Sequence, residues 1–153
     1  MTLLPGDVLL YKPKGIFGWA IRVKTWHPIS HVEIAMLPGF SAASRDGEGV
    51  DYYRTRLEGL VHVLRPSVPF DLTGARQYVS AMLHTPYGWK DLLCFYGMQI
   101  DAPGIVCSPF VTEVLRASGV PVFNHEPANL IAPCDFLKSE LLEDVTAAVT
   151  ATT

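Results

Sequence analysis

Basic clusters are missing from this sequence. Its 12 lysines and arginines are scattered among 15 acidic residues, and the formal net charge is −3. Phosphate neutralisation needs a concentrated basic face, so nucleic acid is not an expected partner. Long apolar runs are missing too. No stretch approaches the ~20 residues that cross a bilayer, which argues against an integral membrane protein. Cysteine is scarce: Cys94, Cys107 and Cys134 are an odd number, irregularly spaced and without a CxxC pair. Neither a zinc site nor a disulfide framework is expected from them, and no metal or cofactor is expected elsewhere. The chain also lacks GxSxG, a Walker loop, HExxH and a carboxylate pair at glycosidase-like spacing. Internal repeats and low-complexity linkers are absent. The opening MTLLPGDVLLYK has neither the basic start nor the apolar length of a secretory signal and reads as a strand, so cytoplasmic synthesis with reduced thiols is expected.

What is present fits one domain. The chain has 153 residues, 49% apolar and 18% charged, long enough to bury an ordinary core. Twelve glycines and twelve prolines imply many turns. The domain is expected to span 1–145, with 146–153 (TAAVTATT) as a flexible tail.

Asp7 to Tyr11 follows the Pro5-Gly6 turn signal and reads as a buried strand. His31 to Met36 alternates, with Val32, Ile34 and Met36 on one face and His31, Glu33 and Ala35 on the other. Phe40 to Ser44 forms a hairpin with it across Pro38-Gly39, and Asp46-Gly47 with Gly49 marks a further turn. Leu60 to Leu64 is another strand, closed by Pro66. Gly15 to Lys24 reads as a loop or short helix, and Lys90 to Tyr96 as a turn or two of helix. Ala75, Tyr78, Val79, Met82 and Leu83 give helical spacing over Thr73 to His84, capped by Asp71 or Thr73. A helix starts at Cys107, takes Pro109 in its first turn and ends near Ala117 before Gly119. A last amphipathic helix is expected from Asp135, carrying Phe136, Leu137, Leu141, Leu142 and Val145. Strands first and helices later make the fold class α+β.

Cys107 is the strongest candidate for chemistry. At a helix start, free backbone N–H groups and the positive end of the macrodipole favour a thiolate, which is the nucleophilic form. A buried structural cysteine is the competing assignment. His31 lies on the polar face of an apolar strand, from which an imidazole can take the thiol proton and protonate a leaving group. Its rivals are His27 before a proline, His62 in a strand without an evident polar companion, His84 at a helix end, and His125. Glu33 shares the strand face of His31 and can fix the ring's orientation, bind substrate or simply face water. Ser41 and Ser44 compete with it for the third position.

The order of segments resembles the circularly permuted, papain-like branch of the NlpC/P60 superfamily, which includes the YiiX/YaeF-like enzymes and, more distantly, the lecithin:retinol acyltransferase group. The matching segments are Gly6-Asp7-Val8-Leu9-Leu10, Ser30-His31-Val32, Pro86-Tyr87-Gly88 and Cys107-Ser108, spread over about residues 5 to 119. In that branch the His strand precedes the Cys helix. The resemblance implies a small, mostly antiparallel sheet against the Cys helix, with Cys107 as nucleophile and His31 as base. It implies a backbone N–H of Cys107 as oxyanion donor, Tyr11 within reach of the cysteine, and Ser108 and Tyr87 on the substrate-binding or oxyanion side. The family's third polar residue usually lies on the strand after the His. Here that strand, Phe40-Ser41-Ala42-Ala43-Ser44, offers neither Glu nor His, so Glu33, a serine or a bare dyad must serve.

The activity so implied is hydrolysis of an amide through a thioester, with peptidoglycan stem peptides as the leading substrate. SHVEIAM and SAASRDGEGV also resemble small proteins of bacteriophages and bacteria, which implies a virion-associated or lysis role and virion or other protein partners. One alternative is a lipid-directed thioesterase or acyltransferase, with Ile16, Phe17, Trp19 and Trp26 lining an apolar groove. The other is a non-catalytic assembly module whose Cys107 is inert.

Overall fold

The computed structural model describes residues 2–12, 28–88 and 106–150. Strand β1 (Val8–Tyr11) consists of four apolar residues in succession, all buried. Only a central strand covered on both faces accommodates such a run. It pairs antiparallel with β2 (His31–Leu37) on one side and β5 (Leu60–Pro66) on the other, with Val8 opposite Ile34 and Leu64. Strands β3 (Phe40–Arg45) and β4 (Gly49–Arg54) extend the sheet beyond β2, and β6 (Leu142–Asp144) extends it beyond β5. The sheet is six-stranded and antiparallel, in the order β4-β3-β2-β1-β5-β6. The α+β class read from the sequence is the one observed.

Period-two alternation divides the sheet into two faces. Val8, Leu10, Val32, Ile34, Met36, Ala42, Val50 and Leu64 join the main core beneath α1 (Leu72–Met82) and α2 (Cys107–Ala117). Phe110, Val111, Val114 and Leu115 of α2 are fully buried there. The opposite face carries a smaller cluster of Leu9, Tyr11, Ala35 and Val63. Helix α1 starts at Asp71, whose carboxylate accepts the Thr73 N–H at 2.9 Å. Gly74 touches the Ala117 carbonyl so closely that a Cβ there has no room, which sets the separation of α1 and α2.

Two short motifs at separate places in the sequence meet in the sheet. Asp7, fully buried ahead of β1, accepts from Arg65 of β5 through both oxygens, Nε to Oδ1 at 2.8 Å and Nη2 to Oδ2 at 2.7 Å. Its Oδ2 also accepts the Leu4 N–H at 2.8 Å. This bidentate pair ties the Gly6-Asp7 turn to the Arg65-Pro66 strand end.

Two expectations are corrected, and the segment beyond the Gly49 turn, unassigned from sequence, is strand β4, because Val50, Tyr52 and Arg54 pair with Ser44, Ala42 and Phe40. No α-helix starts at Asp135. Pro133–Lys138 forms a 3-10 turn in which Asp135 Oδ2 accepts the Ala132 N–H at 2.9 Å, and Leu142–Asp144 then pairs with β5. The free edge of β5 offers Leu142 a full ladder of backbone partners, which outweighs its helical spacing. The tail from Thr146 is not frayed over its first five residues. It forms helix α3 (Thr146–Thr150), whose Thr146 Oγ1 accepts the Val63 N–H at 2.8 Å and whose Val149 is buried in the smaller cluster. The expected elements at Gly15 to Lys24 and Lys90 to Tyr96, and the residues Ile16, Phe17, Trp19, Trp26, His27 and Cys94, lie outside the described residues.

Candidate functional site

Helix α2 opens at Cys107 after an extended Val106, and its first backbone bond runs from Phe110 N–H to the Val106 carbonyl at 3.1 Å. The N–H groups of Cys107 and Ser108 therefore precede the helical ladder, and Pro109 has no N–H to satisfy. Both side chains are buried, Cys107 at 1% exposure. Neither Cys107 nor Cys134 is in a disulfide.

His31 is the first residue of β2, where the strand end leaves its ring 21% exposed. Its Nε2 lies 3.1 Å from Glu33 Oε1, and the Cys107 side chain is near enough to act on the ring's protonation. With Nε2 on the carboxylate, Nδ1 is the ring nitrogen that Glu33 leaves over. Burial opposes protonation of the ring, yet the hydrogen bonds to Cys107 and Glu33 and their negative charge overcome it, and the His31 pKa is pushed up to about 9.

Glu33 is fully buried and needs partners on both oxygens. Oε1 receives Arg45 Nη2 at 2.7 Å and Arg45 Nε at 3.0 Å as well as His31, while Oε2 accepts the Ser41 hydroxyl. Arg56 Nη2 stands further out, 3.7 Å from Oε1. Burial works against ionisation, but His31, Ser41 and Arg45 outweigh it and hold the carboxyl at about 2. Arg45 is itself fixed over the Tyr53 ring, 4.0 Å from its centroid, and the Tyr53 hydroxyl donates to the Gly49 carbonyl at 2.8 Å. Tyr53 is pushed up to about 12, by burial first and then by nearby acids.

Two tyrosines flank the pair. Tyr11 is buried with its ring 6.0 Å from that of His31, and its hydroxyl donates to the Arg56 carbonyl at 3.0 Å. That bond ties Tyr11 to the β4–β5 loop. Tyr87 lies on the Cys107 side, and its hydroxyl is strongly disfavoured from ionising by burial, then by the charge of Cys107 and of Asp46.

The structure brings Cys107, His31 and Glu33 into one chain of contacts, with Ser108 and Tyr87 beside the cysteine. Ser41 supports Glu33 and does not touch His31 through any described contact. Ser44, on the other face of β3, is buried as well. Among the rival histidines, His62 does have a polar companion, Asp144 Oδ2 at 2.8 Å from Nδ1, but at the β5–β6 end of the sheet. His84 is exposed, with φ 64°. Arg45, Arg56 and Tyr53 were not anticipated. The one sequence signal for Arg45 is the alternation Ser41-Ala43-Arg45, which puts it on the Glu33 face once β2 and β3 pair. Chemically, the cluster holds a thiol against a protonatable ring whose far nitrogen is fixed by an ionised carboxylate.

The chain matches no protein-family model, and no curated protein sequence matches it.

Proposed function

We propose that this protein is a cysteine-dependent acyl hydrolase of the permuted NlpC/P60 type that cleaves an amide bond, with peptidoglycan stem peptides as substrate. The observation that carries the reading is the His31 imidazole held by Glu33, with the Cys107 side chain near enough to act on it. The His-bearing strand β2 also precedes the Cys-bearing helix α2, which is the permuted order.

In this mechanism the Cys107 thiol passes its proton to His31 Nδ1, and the sulfur attacks the scissile carbonyl carbon. The carbonyl oxygen gathers negative charge and is met by the Cys107 backbone N–H at the positive end of α2. Collapse of the tetrahedral adduct breaks the C–N bond, and His31 gives its proton to the departing amine. Water then adds to the thioester while His31 accepts its proton, releasing the carboxylic acid and returning the thiol. Glu33 keeps Nε2 engaged throughout, so that Nδ1 stays aimed at sulfur.

The nearness of Cys107 to the Glu33-held ring of His31 favours catalysis over an inert scaffold. A virion-associated or lysis setting would bring such an enzyme to the cell wall. The test is incubation of the protein with purified stem peptides, followed by mass analysis. Cleavage that disappears in Cys107→Ala supports the reading. Intact peptides, with Cys107 no more reactive toward iodoacetamide than Cys134, overturn it.

A further inference from the structure

Glu33 supplies one negative charge, and three cationic groups converge on it. Arg45 delivers two N–H groups to Oε1 at 2.7 and 3.0 Å, and His31 adds a third at 3.1 Å. Ser41 occupies Oε2. The carboxylate is therefore saturated without Arg56, whose Nη2 remains 3.7 Å away. A nitrogen at that distance gains Coulomb energy but no good hydrogen bond.

Arg56 also differs from Arg45 in setting. Its side chain is 44% exposed against 16% for Arg45. Its backbone is pinned by the Tyr11 hydroxyl, and its charge acts on Tyr11, whose ring lies 6.0 Å from the His31 ring. The next residue, Leu57, is 58% exposed. Other acids lie further round: Asp46 acts on Tyr87 at the Cys107 side, and Glu48 and Asp51 act on Tyr53. What results is a half-solvated guanidinium on an anchored backbone, loosely paired with Glu33 at 3.7 Å and one carboxylate away from His31.

Resting on the hydrolase reading above, we infer that Arg56 is a substrate-anchoring residue that binds a carboxylate carried by the acyl substrate, so that the site selects anionic peptides. A guanidinium offers a planar pair of donors suited to a carboxylate. Glu33 engages little of that fork, and Leu57 beside it offers an apolar contact to the substrate's aliphatic portion.

The experiment uses two small alkylating probes of equal reach. Iodoacetate carries a carboxylate where iodoacetamide is neutral, and labelling of Cys107 is followed by peptide mass in wild type, Arg56→Gln and Arg56→Lys. The ratio of the iodoacetate to the iodoacetamide rate is expected to fall about fivefold in Arg56→Gln, the factor a unit charge near 4 Å contributes in bulk water. Arg56→Lys is expected to keep most of the ratio, and about 1 M salt to erase it in wild type, since screening then acts within roughly 3 Å. The same variants are then compared on mono-p-nitrophenyl glutarate and p-nitrophenyl butyrate, where KM for the anionic ester should rise relative to the neutral one. An unchanged ratio in Arg56→Gln, with Cys107 still labelling fast, overturns this inference and leaves the hydrolase reading standing. Slow labelling of Cys107 by both probes in wild type overturns the hydrolase reading itself, and the anchoring role with it.

Discussion

Glu33 holds the His31 ring by one nitrogen, with Oε1 3.1 Å from Nε2 and the two residues on the same face of one strand. The ring's other nitrogen is thereby left over for proton transfer, and the expected behaviour of several variants follows from that arrangement.

Alkylation reports the pair most directly. Iodoacetamide should label Cys107 rapidly near pH 7, and faster than Cys134. His31→Ala should slow this by tenfold or more, as expected when a general base worth about 10²–10⁴ in rate is lost. Equal labelling rates in wild type and His31→Ala would show that the two side chains do not cooperate.

Removing the carboxylate should separate orientation from charge. Glu33→Gln retains an acceptor for Nε2–H and should keep part of the activity, with the His31 pKa lowered because a negative neighbour is gone. Glu33→Ala leaves Arg45 without its anion in a buried setting and should cost about 3 kcal/mol of stability. Urea denaturation of the two variants beside wild type, together with their pH–rate profiles, measures both effects. Both variants remove the anion facing Arg45, so wild-type stability in either of them would contradict the ion-pair account.

Stability should depend on pH on both sides of a plateau. The His31 pKa is raised from 6.5 to about 9, so its contribution is complete below about pH 6.5 and is lost as pH rises through about 9. The Glu33 pKa is lowered from 4.5 to about 2, so its contribution is complete above about pH 4.5 and is lost as pH falls through about 2. The melting temperature should therefore be highest between about pH 4.5 and 6.5. In His31→Gln the alkaline decline should weaken; a decline of wild-type depth in that variant would assign it to other groups.

The Asp7–Arg65 pair lies away from the chemistry and should act on folding alone. Arg65→Met strands a fully buried carboxylate and is expected to cost about 3 kcal/mol, whereas Asp7→Asn with Arg65→Met should recover part of the loss. Denaturation midpoints of the single and double variants test this. The iodoacetamide reactivity of Cys107 in the folded Arg65→Met protein should match wild type.

Local chemistry made part of this legible from the sequence. The helix at Cys107–Ala117 is bounded by Pro109 and Gly119, and the β2 alternation places His31 and Glu33 on one face, because capping and period-two patterning act over a few residues. Tertiary structure decided the rest. Arg45 and Arg56 reach Glu33 only because β2, β3 and the β4–β5 loop meet, and Ser41 supports the carboxylate only in the observed register of β2 against β3. Leu142 belongs to a strand because β5 presents an open edge to it, which its own helical spacing does not reveal. The Arg65 partner of Asp7 lies 58 residues away in the chain. Such contacts are fixed by strand register and loop path, which depend on the burial of the whole sheet and not on any short segment.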